Sequence, residues 1–91
     1  MSTRIRMKIY GAVQGVGFRG GAAKKARAFG LCGWVRNCAE GCVETEVEGA
    51  VDVVEKYRAW CKKGPTFARV ERIEEEWIET SSPDDKEFNI K

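Results

Sequence analysis

Apolar and polar side chains alternate from Arg4 to Tyr10, with Ile5, Met7 and Ile9 set against Arg6, Lys8 and Tyr10. A period of two marks a strand with one buried face. The pattern then changes to helical spacing: Phe18, Ala22, Ala26 and Phe29 fall on one side, Lys24, Lys25 and Arg27 on the other, and Gly30 ends the run. Leu31 to Asn37 and Cys42 to Glu48 are two further strands, joined as a hairpin by Cys38-Ala39-Glu40-Gly41. In the second of them Val43, Thr45 and Val47 face one way and Glu44, Glu46 and Glu48 the other, which predicts a sheet with one wet face. From Ala50 onward, Val53, Val54, Tyr57, Trp60 and Cys61 form the apolar stripe of a second helix that stops near Gly64-Pro65. Ala68 and Val70, then Ile73 and Trp77, alternate out of phase, so a strand with a bulge between Val70 and Ile73 is expected. A loop through Ser81-Ser82-Pro83-Asp84-Asp85 leads to a short closing strand at Phe88 and Ile90.

The order βαββαβ, with a short strand to finish, is that of a split βαβ unit. It predicts an α+β, ferredoxin-like sandwich in which two helices cover one face of an antiparallel sheet. In that topology the first helix joins two strands that run the same way. Asn37, ending the second strand, therefore belongs beside the turn that leaves the first.

Ninety-one residues suffice for one small domain, read here as 1–91. No apolar run approaches the roughly 18 to 20 residues of a membrane span, and the amino terminus enters the first strand without an apolar leader. A cytoplasmic monomer without membrane contact is expected. Charge is segregated: positions 1–39 hold eight bases and no acid, whereas the remainder holds eight bases and fourteen acids. The basic part suits a small anion, and the acidic part argues against nucleic acid as a partner.

The candidate chemistry lies in Gly11-Ala12-Val13-Gln14-Gly15-Val16-Gly17-Phe18-Arg19, a glycine-rich turn between strand and helix. Backbone N–H groups at such a turn bind anions, and a guanidinium adds a bidentate, permanently charged contact suited to phosphate. The Asn37 amide both donates and accepts, so it can hold a water molecule. Together they suggest phosphoryl transfer to water by positioning and electrostatics. The chain has no histidine, which removes Ser–His and Cys–His nucleophiles and histidine-ligated zinc. The turn does not fit G-x-x-x-x-G-K-[ST], and no cysteine is followed six positions later by arginine. Gly20 and Gly21 weaken the first helical turn by about 1 kcal/mol each unless backbone freedom or close approach is needed there.

Cys32, Cys38, Cys42 and Cys61 lack C-x-x-C spacing and are read as thiols, with Cys61 in the core. A Cys38–Cys42 disulfide across the hairpin turn is the alternative, and an oxidant-sensitive thiol at Cys38, next to Asn37, a further one. Trp60 and Trp77 are read as packing residues, and Trp34 as facing away from the helices.

The nine-residue turn, followed by Gly33-Trp34-Val35-Arg36-Asn37, Gly41-x-Val43-Glu44, Glu48-Gly49, Gly64-Pro65, Ala68-Arg69-Val70 and Phe88-x-Ile90-Lys91, resembles the acylphosphatase family over nearly the whole chain. The resemblance implies hydrolysis of a small acyl phosphate to a carboxylate and inorganic phosphate, without metal, cofactor or covalent intermediate. It implies that Arg19 binds the phosphate, that the amides of Val13, Gln14, Gly15, Val16, Gly17 and Phe18 surround it, and that Asn37 orients the water. Gly20 and Gly21 depart from the larger side chains that usually follow the family's arginine. Two other readings compete. One is a non-catalytic anion-binding or regulatory module, including an acylphosphatase-like domain of a larger maturation protein. The other, an RNA-binding sheet, lacks the exposed aromatic strand it would need.

Overall fold

The computed structural model describes residues 2–79 and 87–91. The expected loop at Ser81–Asp85 lies outside the described residues. Strand β1 (Ser2–Ala12) leads to helix α1 (Phe18–Ala28), strands β2 (Cys32–Asn37) and β3 (Val43–Ala50), helix α2 (Val51–Lys63), strand β4 (Arg69–Ile78) and strand β5 (Phe88–Ile90). The five strands lie in the order β4-β1-β3-β2-β5. All neighbours are antiparallel except β2 and β5. The result is the ferredoxin-like sandwich expected from the alternation.

Period-two burial places Ile5, Met7 and Ile9 of β1, Val43, Thr45 and Val47 of β3 and Val35 of β2 on the covered face. Phe18, Ala22, Ala23 and Ala26 of α1 and Val54, Tyr57 and Cys61 of α2 close over them. Thr45 is the polar member of this core. Its Oγ1 donates to the Trp34 carbonyl and meets the Tyr57 hydroxyl, each at 2.8 Å, so burial leaves neither group unsatisfied. The strand bulge is also present: Tyr10 pairs with Arg72 and Gly11 with Val70, which leaves Glu71 as the extra residue.

The other sheet face is not wet as expected. Glu44, Glu46 and Glu48 are each only 6% exposed. The reason is register: Arg4, Arg6 and Lys8 of β1 lie opposite Glu48, Glu46 and Glu44, and Arg36 of β2 lies opposite Glu44 from the other side. Arg4 bonds Glu46 and reaches Glu48, Arg6 donates to Glu46 Oε1 at 2.8 Å, and Arg36 Nη2 donates to Glu44 Oε1 at 2.6 Å. The Glu46 bond holds the Arg6 guanidinium pKa above its ordinary value. Charges segregated along the chain are thus paired across the sheet. Glu46→Ala removes one acid partner of the nearly buried Arg4 and the hydrogen-bonded acid of Arg6 while Glu48 still reaches Arg4, and a loss of about 2 kcal/mol is expected in urea unfolding, less than for a wholly desolvated pair.

Trp34 lies on this helix-free face, where Arg36 and Lys91 approach its ring at 5.3 and 5.0 Å. Trp77 corrects the packing expectation: it stands 50% exposed, because β4 is an edge strand and no described element covers it there. Among the described residues no helix is long and apolar enough to cross a membrane.

Candidate active site

β1 ends at Ala12 and α1 begins at Phe18, so residues 13–17 make the crossing from sheet to helix. Gly15 and Gly17 shape it, with left-handed φ values of 75° and 80°. A Cβ at either would meet nothing within 4 Å, so backbone conformation rather than crowding reserves these positions for glycine. Gly17 caps α1 and brings no side-chain hydrogen bond to its first turn, which contains no acid. The first helical bond runs from Gly21 N–H to the Gly17 carbonyl at 3.0 Å. N–H groups earlier in that turn remain available at the positive end of the helix dipole.

Packing fixes this loop from below. Val13 and Phe18 are buried, and the Phe18 ring meets Trp60 of α2 edge-on at 5.4 Å. A Cβ on Gly21 would come within 3.0 Å of the Trp60 ring, so this glycine admits the tryptophan against α1. Gly20, by contrast, faces open space. Of the two roles open for these glycines, close approach applies to Gly21, and the partner is a side chain of the fold.

Val13, Gly15, Gly17 and Phe18 share with Arg19 and Asn37 a cavity of about 250 Å³. Six of the eight residues singled out in the sequence therefore line one space. The two that do not are Gln14 and Val16. Val16 packs against the core, and Gln14 turns outward, its Nε2 donating to the carbonyls of Cys38 and Cys42 at 2.8 Å each. Arg19 and Asn37 are both exposed to this space. Arg19 has no ion pair with an acid among the described residues, in contrast to the arginines of the sheet.

Sequence reasoning missed two wall residues, Gly20 and Ile90. Ile90 arrives because β5 adds in parallel beside β2, with Val35 opposite Ile90. The Phe88-x-Ile90-Lys91 ending was its only signal. β5 is tied in place by Arg27, whose Nε and Nη2 donate to the Phe88 carbonyl at 3.2 and 3.1 Å.

The cysteines correct the all-thiol expectation. Cys38 and Cys42 form a disulfide, because the tight turn between β2 and β3 brings their Cα atoms to 5.0 Å. Cys32 and Cys61 are thiols. Burial pushes the Cys61 thiol pKa far up, which keeps it protonated and inert. Among the described residues no group of three or more Cys, Asp or Glu converges to hold a metal ion.

A family model described as acylphosphatase matches residues 5–90. An acylphosphatase of Thermococcus kodakarensis is 47% identical over 76 residues, covering 84% of this chain and 84% of that protein. The crystal structure of acylphosphatase from Bacillus subtilis superposes with a TM-score of 0.91 at 32% identity, over 99% of this chain and 98% of that one. The crystal structure of HypF from T. kodakarensis matches at a TM-score of 0.83 and 31% identity, over 98% of this chain and 12% of the other.

Proposed function

The chain belongs to the acylphosphatase family of acyl phosphate hydrolases, and from that premise we propose that Arg19, Asn37 and the loop amides carry out the reaction in the cavity they share. The phosphoryl group sits in the loop, its non-bridging oxygens taking hydrogen bonds from the amides of residues 13–18 and from the Arg19 guanidinium. Asn37 holds a water molecule on the face opposite the acyl oxygen. The water oxygen bonds to phosphorus as the bond from phosphorus to the acyl oxygen breaks. The bonding pair leaves with the carboxylate, and the water proton is released to solvent or to the product phosphate.

A carboxylate is a good leaving group, so the site has no need of a strong general acid. What the protein supplies is alignment and a fixed set of positive dipoles around the charge that develops. The supporting observation is that one cavity contains an arginine with no acid paired to it among the described residues, an asparagine and a left-handed glycine loop.

The test is hydrolysis of an aromatic acyl phosphate by the purified protein, with and without EDTA, beside a phosphate monoester. Rapid EDTA-insensitive hydrolysis of the acyl phosphate alone is expected. Binding of inorganic phosphate without turnover would favour the second reading, a regulatory anion-binding module. The match to a short portion of HypF supports that reading as far as a larger host protein is concerned.

A further inference from the structure

Gln14 stands in the middle of the phosphate loop yet turns its side chain away from the cavity. Its Nε2 donates to the carbonyls of Cys38 and Cys42 at 2.8 Å each, so both amide hydrogens go to the two ends of one turn. The same two carbonyls are engaged within the turn. Gly41 N–H donates to the Cys38 carbonyl at 3.1 Å, and Cys38 N–H to the Cys42 carbonyl at 2.7 Å. Each oxygen therefore accepts two hydrogen bonds, its full complement. The disulfide joins the residues that own them.

Asn37 ends β2, one residue before this closed turn. It is bonded to Cys38, and its partner in register is Val43, the neighbour of Cys42. Neither cysteine lines the cavity, and neither does Gln14. Whatever the turn does to the reaction, it does by setting where Asn37 stands relative to the loop.

We propose that Gln14 is a positioning residue that fixes Asn37 against the phosphate loop through the Cys38 and Cys42 carbonyls, and that the Cys38–Cys42 bond makes this brace redox-dependent. The inference rests on the function proposed above. The co-reactant is a dithiol. Its thiolate bonds to Cys38 Sγ, the more exposed of the two, as the S–S bond breaks and its electron pair leaves with Cys42 Sγ, which takes up a proton. The second thiol of the reductant then displaces Cys38 Sγ, which is protonated in turn. The reductant ends as a disulfide, and the protein has gained two electrons and two protons. Without the cross-link the turn ends are held only by the Cys38 N–H to Cys42 carbonyl bond and the Gln14 bridge, the spacing of the two carbonyls is no longer fixed, and Asn37 loses its set distance from the loop. Arg19 sits on α1 and does not move with the turn. Catalytic rate is therefore affected and phosphate affinity is not.

The experiment compares the oxidised protein with the same protein treated with a dithiol, the redox state being verified by alkylation and mass. The wild type is measured beside Gln14→Ala, the Cys38→Ser/Cys42→Ser double variant and, as a control, Cys32→Ser. Reduction is expected to lower kcat about tenfold and leave KM within about twofold, as loss of one aligning contact would. Oxidised Gln14→Ala and the double serine variant should match the reduced wild type, and reduction should add nothing to either. Cys32→Ser should respond as the wild type does. An unchanged kcat after verified reduction would overturn the proposal. So would a Gln14→Ala variant that still loses rate on reduction, or a rise in KM in place of the fall in kcat. A second readout needs no turnover: the Asn37 side-chain amide resonance, with inorganic phosphate bound, should shift on reduction in wild type and not in Gln14→Ala. If the oxidised wild type hydrolyses no acyl phosphate, the functional reading fails by itself. The resonance still decides the brace, and an unmoved signal overturns it.

Discussion

Arg19→Ala is expected to lower kcat/KM for acyl phosphate hydrolysis by about 10³-fold or more, roughly 4 kcal/mol of transition-state stabilisation. The size follows from where the charge goes. Negative charge spreads over the non-bridging oxygens as the acyl bond breaks, and a guanidinium facing them is permanently cationic and presents two parallel donors. Arg19 is exposed to the cavity and has no carboxylate paired to it among the described residues, so its field is directed at the ligand. Because the contact also exists in the ground state, inorganic phosphate affinity should fall together with the rate. Arg19→Lys keeps the charge without the planar fork and should recover only part of the loss. Steady-state rates with phosphate as a competitive inhibitor measure both effects. Turnover of Arg19→Ala within tenfold of wild type would remove Arg19 from the reaction.

Asn37→Ala is expected to separate rate from binding. The residue lies across the cavity from α1 and holds no charge, so its side chain acts on the attacking water more than on the phosphate. Losing that orientation should lower kcat about 10³-fold with KM and phosphate affinity nearly unchanged. The far-ultraviolet spectrum should be that of the wild type, because Asn37 is exposed at the end of β2 and its removal empties no core space. A fall in phosphate affinity comparable to the fall in rate would instead make Asn37 a phosphate ligand.

Strand and helix order were legible in the sequence because burial follows local periods of two and 3.6 residues. The bulge was visible too, as a break in phase between Val70 and Ile73. The junction of Arg19 and Asn37 followed from topology alone. Other features are set by register and by distant neighbours. Glu44, Glu46 and Glu48 read as a wet face, since nothing local says that Arg4, Arg6 and Arg36 will lie opposite them. Cys38 and Cys42 became a disulfide because of how closely their turn folds. The use of Gly21 depends on Trp60, thirty-nine residues away in sequence. Gln14 read as one more loop amide, and its side-chain role needed the carbonyls of a turn that the sequence places only coarsely. A reducing compartment would favour the reduced turn, and an oxidising one the disulfide.

β4 closes one side of the sheet, and among the described residues no strand lies beside its outer backbone groups. A row of this kind can template the addition of another chain and so start aggregation. Here Glu71 interrupts the row as the bulge, and Glu74, Glu75 and Glu76 follow it in sequence. Each of these acids lies within ion-pair distance of an arginine, Glu74 of Arg72, Glu75 of Arg58 and Glu76 of Arg6, so a second copy would have to displace charged and hydrated groups to reach the edge. Arg58 of α2 hydrogen-bonds Glu75 and holds its carboxyl below the ordinary range, so this acid keeps its charge further into mild acidity than an isolated glutamate would. Bulge and charged side chains together make β4 a poor template for a second strand.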